Sequence, residues 1–368
     1  MTLDEAERNN IKIDSNHGRL VYLESLRGLA AILVVLHHHY MTYPILIDIV
    51  RLTPFRLLIN GRSSVIFFFV LSGFVIVYGI INRSKKLSYS EFIIRRIIRI
   101  YLPYAAAGLI AILCYILINP VLYVDTAITF NEMWSAPLNI TSIAQFFLLA
   151  GTGVANTINT VAWSLVYELR ISLLLPFLFV LGIRLPYALW LLVLAELITN
   201  RFRREQVPFY GVDIFTSIDI TLHFLLPFIL GVFLAIWLSQ GRLANLDPKP
   251  IVAKVFLFIS LMLIMIFRDE PASVGGAILL FVAIRWSTLQ KFLRKPILIK
   301  LGAISYSLYL THAIVLQVTV RMFHGLIPLP VSLAVSLAAC IPVAVLFYTF
   351  IEKPTHKLSQ RLGRFKSV

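Results

Sequence analysis

The sequence predicts an all-α protein, a polytopic transmembrane helix bundle of about ten spans with both termini in the cytoplasm. Three observations carry that prediction. Hydrophobic residues make up 59% of the 368 and charged residues only 14%, with a mean hydropathy of +0.86. Soluble domains carry roughly 25% charged and about 45–50% apolar residues, so the surplus here needs lipid as its solvent. Beyond residue 19 the chain alternates apolar stretches with short polar connections, and a span of about 20 apolar residues is what a hydrocarbon core demands. Finally, Lys and Arg collect in every second connection, as the positive-inside rule requires.

In chain order, residues 1–19 are polar and of mixed charge. They lack the basic start, short apolar core and small-residue cleavage site of a signal peptide, and are expected to stay as a cytoplasmic tail. The expected spans are 20–41, 64–81, 100–119, 161–182, 186–199, 218–239, 251–267, 272–286, 302–323 and 331–351. The fifth is short and carries Glu196; without it the topology of everything downstream would invert. With all ten, and with charged residues near span ends counted in the connection they adjoin, the inner segments hold 23 Lys and Arg residues and the outer ones 8, leaving Arg27 and Arg170 inside spans. The long outer connection 120–160 holds no Lys or Arg, and its apolar run Phe146–Ala150 suits a dip toward the membrane. A single membrane domain, 20–354, is expected to end in a basic cytoplasmic tail, 355–368, with no repeat and no second soluble domain.

The net charge is +15, from Lys+Arg 33 against Asp+Glu 18. That excess suits anionic lipid headgroups or a phosphate-bearing ligand. Nucleic acid is excluded as a partner because no soluble basic domain remains to bind it. Cys114 and Cys340 stand alone in apolar stretches, so neither a disulfide framework nor a zinc site is expected. Oligomeric state leaves no mark on the sequence.

Ionisable groups inside spans are costly and mark function by default. In the first span, YLESLRGLAAILVVLHHHY, the eleven steps from Arg27 to His38 return to within about 20° of one face, roughly 16 Å further along the axis. Glu24 lies near the same stripe, whereas His37 and His39 point elsewhere. The alternative is a wet helix end at the histidines and an Arg27–Glu24 pair near the inner boundary. The fourth span opens TVAWSLVYELR, placing Ser164 and Glu168 at i and i+4 on one face. Glu168 and His38 reach similar depths from opposite directions, and a carboxylate against His38 would fix its tautomer and raise its basicity, as a general base needs. A bridge from Glu168 to Arg170 is disfavoured, since positions two apart do not face each other.

His312, in ISYSLYLTHAIV, serves either a proton relay or packing, and His223 reads as a core histidine. In the inner connection, Arg95, Arg96 and Arg99 gather just before the expected third span. Arg96 and Arg99 share a face and suit bidentate phosphate binding, although orientation and anionic lipid ask for basic residues there as well. Ser72 and Gly73 suit close helix packing.

Taken in order, LESLRGLAAILVVLHHHY with Arg27 and His38 in R-x10-H spacing, FFFVLSGFVI at 67–76, RRIIRIYLPY at 95–104, WSLVYE at 163–168, ISYSLYLTH at 304–312 and IEKP at 351–354 resemble the acyltransferase-3 family of integral membrane O-acyltransferases. The blocks run from residue 22 to residue 354. The resemblance implies transfer of an acyl group, by default acetyl, from cytoplasmic acyl-CoA to a hydroxyl of a cell-surface glycan or its lipid-linked precursor, in a bacterial inner membrane. It implies acyl-CoA as co-substrate with no permanently bound cofactor and no metal. Arg96 and Arg99, beside Arg95, would grip the CoA phosphates, His38 would act as base or be acylated, Glu168 would orient or balance it, and Arg27 would contact the donor. Ser164, Trp163 or a histidine could polarise the carbonyl. One family variant carries a fused esterase-like domain, which is not expected here because the chain ends fourteen residues after Pro354. The alternative from another class is a proton-coupled transporter using Arg27, His38, Glu168 and His312 as a relay; against it, the sequence shows no paired repeat of broken helices.

Overall fold

The apolar stretches all fold as helices, and the connections between them are short apart from 119–162. The computed structural model describes residues 20–51, 53–83, 88–153, 157–202, 208–243 and 248–362. The principal helices are α1 (Val21–Tyr40), α2 (Gly61–Ile81), α3 (Tyr89–Ile118), α4 (Trp163–Arg184), α5 (Pro186–Phe202), α6 (Ile214–His223), α7 (Leu225–Ser239), α8 (Pro250–Met265), α9 (Asp269–Arg285), α10 (Ser287–Leu293), α11 (Pro296–Ala303), α12 (Ser305–Phe323), α13 (Leu329–Phe347) and α14 (Lys353–Leu362). Short helices occupy Pro44–Arg51, Ile128–Glu132 and Ile140–Phe147, and the β-structure among the described residues is one isolated bridge between Thr152 and Gly211.

Each of the ten expected segments is helical, but not each is a simple span. Six helices are long and apolar enough to cross a membrane; counting the bent pairs α9–α10 (93°) and α11–α12 (66°) as one span each gives eight. Pro186–Thr199 and Pro250–Met265 are shorter apolar helices; at 1.5 Å per residue they fall short of a core about 30 Å thick.

Two other expectations need correction. The third span begins eleven residues early, because Ser88 and Glu91 form a reciprocal capping box: the Ser88 side chain accepts from Glu91 N (3.2 Å) and Glu91 from Ser88 N (2.9 Å). Arg95, Arg96 and Arg99 therefore lie inside α3 rather than before it. At the other end, residues 355–362 are no free tail; α14 packs along α3. The tail 1–19 and residues 363–368 lie outside the described residues.

Helix α2 is the hub, packing against α1, α4, α7 and α9. Gly73 lets it touch α7 backbone to backbone: a Cβ there would run into the Phe228 carbonyl, and one on Gly231 would strike the Val70 carbonyl. Small residues at such a crossing are how membrane helices gain close packing without a hydrophobic drive. A second glycine pair, Gly28 and Gly302, brings α1 onto α11 in the same way. Fully buried Phe69, Val70 and Phe74 line the α2 side of the main core.

Away from the basic end, a chain of ionisable side chains ties four helices together. Asp269 receives Arg62 through Nε (2.7 Å) and Nη2 (2.5 Å) and lies 2.9 Å from His223 Nε2, while His223 Nδ1 lies 2.6 Å from Glu196 Oε1. The Glu196 that makes α5 look unsuited to a span is thus spent on His223, whose role is structural, as its core position suggests.

Removing one member of such a buried pair leaves a stranded charge, which costs about 3–5 kcal/mol. Asp269→Asn is expected to lower the thermal midpoint in detergent accordingly, whereas Asp125→Asn, which loses only the exposed pair with His324 (2.9 Å), is expected to cost less than about 1 kcal/mol.

Candidate active site

Six consecutive positions on one stripe of α2, Val65, Phe68, Phe69, Ser72, Val75 and Ile76, form the wall of a cleft of about 870 Å³, open mouth included. Spacings of three and four keep them on one face. Opposite them α1 contributes Arg27, α3 contributes Arg96 and Arg99, α4 contributes Ser164 and Glu168, and α12 contributes Tyr306 and Tyr309. Glu352 completes the lining from a π-helical turn, Tyr348–Glu352, where α13 gives way to α14. A π turn adds a residue to the helix and re-aims the side chains after it, a feature found often at functional sites.

The cleft is polar on one side and apolar at its end. Glu168 accepts from Ser72 Oγ (2.9 Å) and stands 3.7 Å from Arg96 Nη2. Arg96 Nε and Nη2 are buried without hydrogen-bond partners, an expensive arrangement that marks a place for an acceptor-rich ligand. Arg27 has no hydrogen bond or ion pair among the described residues, and Arg99 keeps a large exposed surface while lining the cleft. Glu352 Oε2 accepts from the backbone N (3.1 Å) and hydroxyl (2.5 Å) of Ser307, and Tyr306 donates to the Ile100 carbonyl (2.7 Å), which fixes α12 against α3.

His38 does not share this cleft. It lines a second, smaller cavity with Met41, Thr160 and Gln317 among others. A hydroxyl partition belongs to the lining of the first cleft alone: Ser164 Oγ and Tyr309 Oη are 2.7 Å apart, and Tyr309 donates to the Val161 carbonyl at 3.0 Å. His312 is buried beside this partition, its ring 5.9 Å from Tyr309 and 5.2 Å from His38. Its Nδ1 lies 3.0 Å from the Leu308 carbonyl, which makes Nδ1 the protonated nitrogen and leaves Nε2 a buried acceptor without a partner.

The expected meeting of Glu168 with His38 is therefore corrected. Glu168 turns toward Ser72 and Arg96, on the far side of Tyr309 and Ser164, and the ring facing His38 is His312. Arg95 is not a cleft residue; one position from Arg96, it is rotated 100° around α3. Trp163 also stays out of the cleft, packing on Phe209 (4.8 Å between centroids) and Phe224 (5.7 Å). Arg170 binds Ser217, Thr221 and the carbonyls of Leu149 and Ala150, not Glu168. Of the three adjacent histidines, His37 is engaged by the Ile59 carbonyl (2.6 Å) and His39 by the Val35 carbonyl (2.8 Å) and Ser336 (3.0 Å). His38 is the one whose ring faces open space.

The sequence profile of the acyltransferase-3 family, described as an acyltransferase domain, matches residues 20–349. The chain belongs to the acyltransferase-3 family. A curated relative, acyltransferase MdmB of Streptomyces mycarofaciens, is 24% identical over 335 residues, covering 84% of this chain and 83% of its own. No solved structure matches the chain significantly. The acyltransferase thus carries its arginine pair and its R-x10-H histidine in separate compartments of one bundle. Glu352 and Tyr309, which sequence reasoning passed over, line the arginine compartment; Ser305, Tyr309 and His312 at i, i+4 and i+7 form a polar helical stripe that was there to be read.

Tyr309 and Ser164 share one short hydrogen bond, so truncating either removes most of what the other contributes. Tyr309→Phe and Ser164→Ala are expected to be non-additive in a double-mutant cycle, with a coupling of about 0.5–3 kcal/mol on unfolding stability.

Proposed function

We propose that this protein is an O-acyltransferase that moves an acyl group, acetyl in the simplest case, from cytoplasmic acyl-CoA to a hydroxyl of a cell-envelope glycan or its lipid-linked precursor. The observation that carries this reading is the buried guanidinium edge of Arg96, which makes no hydrogen bond, in a cleft that also holds Arg27 and Arg99. Three guanidinium groups against two carboxylates favour an anion, and planar forks suit phosphate oxygens. Glu168 and Glu352 hold the cleft's net charge low enough to tolerate burial while it is empty.

In this reading the CoA phosphates sit at Arg96 and Arg99 with Arg27, and the thioester end extends along the α2 stripe to Tyr309 and Ser164. The acceptor hydroxyl waits beside His38. His38 takes its proton as the oxygen attacks the thioester carbonyl; the acyl–oxygen bond forms, the acyl–sulfur bond breaks, and the proton passes on to the CoA thiolate. His312 does for His38 what the sequence assigned to Glu168: its Nε2 lone pair is an acceptor beside the His38 ring, able to set which nitrogen of His38 carries the proton. Either hydroxyl of the partition is a donor in place to polarise the carbonyl once its present bond is released. The proposed setting is a bacterial inner membrane with the arginine compartment toward the cytoplasm, as the Lys and Arg bias argues.

Acetyl-CoA at a hundredfold excess over its dissociation constant is expected to stabilise the purified protein by about 2.7 kcal/mol, seen as a rise in thermal midpoint that continues with the logarithm of its concentration. Arg96→Ala/Arg99→Ala is expected to abolish that rise; a rise kept by the variant removes both residues from the donor site. His38→Ala is expected to keep the rise and lose acyl transfer, and transfer at the original rate in that variant would sink the role given to His38.

A further inference from the structure

Between α9 and α12 the chain turns aside twice. Helix α10 leaves α9 at 93° and α11 meets α12 at 66°, so residues 286–303 form a bracket across the end of the bundle where α1 begins and α2 stops. Leu289 and Leu293, four apart on α10, face the core. Ser25 Oγ donates to the Leu293 carbonyl (2.5 Å), and Gly302 lies so close to the Glu24 carbonyl that a Cβ would collide with it. The bracket is thus fixed to residues 24–28 of α1, the turn from which Arg27 enters the cleft.

The outer flank of the bracket mixes charge with apolar surface. Lys291, Arg294, Lys295 and Lys300 are exposed, and Phe292 and Ile297 are exposed among them. Lys295 Nζ stands 5.0 Å from the centre of the Phe292 ring. The sequence from Pro271 to Ile351 holds no Asp or Glu, so Glu24, the single carboxylate of α1, is set against four cations. A phenyl ring beside ammonium groups is costly in water but suits a membrane interface, where the ring enters the acyl region and the amines stay at the phosphates.

Behind this flank one polar group is left over. The Tyr22 side chain is 2% exposed, and its hydroxyl has no hydrogen-bond partner among the described residues. The guanidinium of Arg294 lies 5.7 Å from the centre of its ring, and Arg285 and Tyr78 act on the hydroxyl as well. A hydroxyl among guanidinium groups is surrounded by donors and lacks an acceptor for its own proton. A phosphate oxygen accepts from both kinds of group.

We propose that the bracket 286–303 is a binding site for an anionic phospholipid. The phosphate sits at Arg294 with Lys291 and Lys295 beside it, and a small shift of the exposed Arg294 side chain opens the Tyr22 hydroxyl to it. The acyl chains lie on Phe292 and Ile297. Free phosphate gains nothing from that apolar pair, and for this reason the occupant is a lipid. The site lies at the end of the bundle that the Lys and Arg bias assigns to the cytoplasm. Bound there, the lipid braces the turn of α1 that carries Arg27. The donor reading above is not needed for it.

The test titrates palmitoyl-oleoyl phosphatidylglycerol, phosphatidylcholine with the same chains, and inorganic phosphate into the full chain in dodecyl maltoside, reading the thermal midpoint. The midpoint is expected to rise with phosphatidylglycerol at about tenfold lower concentration than with phosphatidylcholine, and not to rise with inorganic phosphate. Lys291→Gln/Arg294→Gln/Lys295→Gln is expected to lose that preference. Lys353→Gln/Lys357→Gln/Arg361→Gln, which removes as many charges from the exposed flank of α14, is expected to keep it. In the unaltered chain, phosphatidylglycerol is expected to slow hydrogen exchange in 286–300 and 21–28 but not in 121–134, and this pattern decides the matter if the bracket variant does not fold. An equal rise with phosphatidylcholine or inorganic phosphate, a preference kept by the bracket variant or lost equally in the α14 variant, or no added protection in 286–300 overturns the proposal.

Discussion

Two backbones touch where α2 crosses α7, and the rest of the bundle is arranged around that contact. Gly73 and Gly231 bring the helices closer than any side chain would allow. Because α2 is held from one side in this way, its opposite stripe is free to face a cleft rather than a neighbour. That stripe is apolar except at Ser72, and Ser72 holds Glu168. The position of the one carboxylate in α4 that lines the cleft is therefore set by a packing decision made on the other face of α2.

A bundle in lipid pays heavily for each charge it buries, and two of the places where this one gathers charges have different uses. Arg62, Asp269, His223 and Glu196 are satisfied by one another and close the helix ends. Arg27, Arg96, Arg99, Glu168 and Glu352 are satisfied only in part, with nitrogen atoms of Arg96 left bare. Structural networks are complete and sites are not, which is why the incomplete one reads as the place where a ligand supplies the missing acceptors. Across the Tyr309–Ser164 partition the cavity at His38 carries almost no charge. In the proposed reading, separating a highly anionic donor from its acceptor by two hydroxyls means that only the acyl group needs to cross.

Much of this was legible in the chain. Apolar runs located a helix in each of the ten expected segments, the R-x10-H spacing put Arg27 and His38 on one face, and the S-x-x-E signal at Ser88 was present, though the expected span began later. Arg96 and Arg99, paired by their i, i+3 spacing, line one cleft. The rest was lost because periodicity fixes a face of a helix and not its neighbour. Glu168 and His38 reach comparable depths, yet α12 stands between them, and no count along α1 or α4 reveals a third helix. Glu352 was hidden for another reason: a π turn breaks the 3.6-residue rule by which faces are assigned. Glu196 looked like a fault in a span because its partner His223 comes 27 residues later.

The central claim of the proposal is that CoA lies in the arginine cleft with its acyl end at Tyr309 and Ser164, apart from the cavity at His38. A density map of the protein with a non-hydrolysable thioether analogue of acetyl-CoA tests it most directly. The account requires the phosphates at Arg96 and Arg99 and the acyl end against the Tyr309–Ser164 pair, with the cavity at His38 left unfilled by CoA. CoA lying along α1 past His38, or bound away from the α2 stripe, would contradict it.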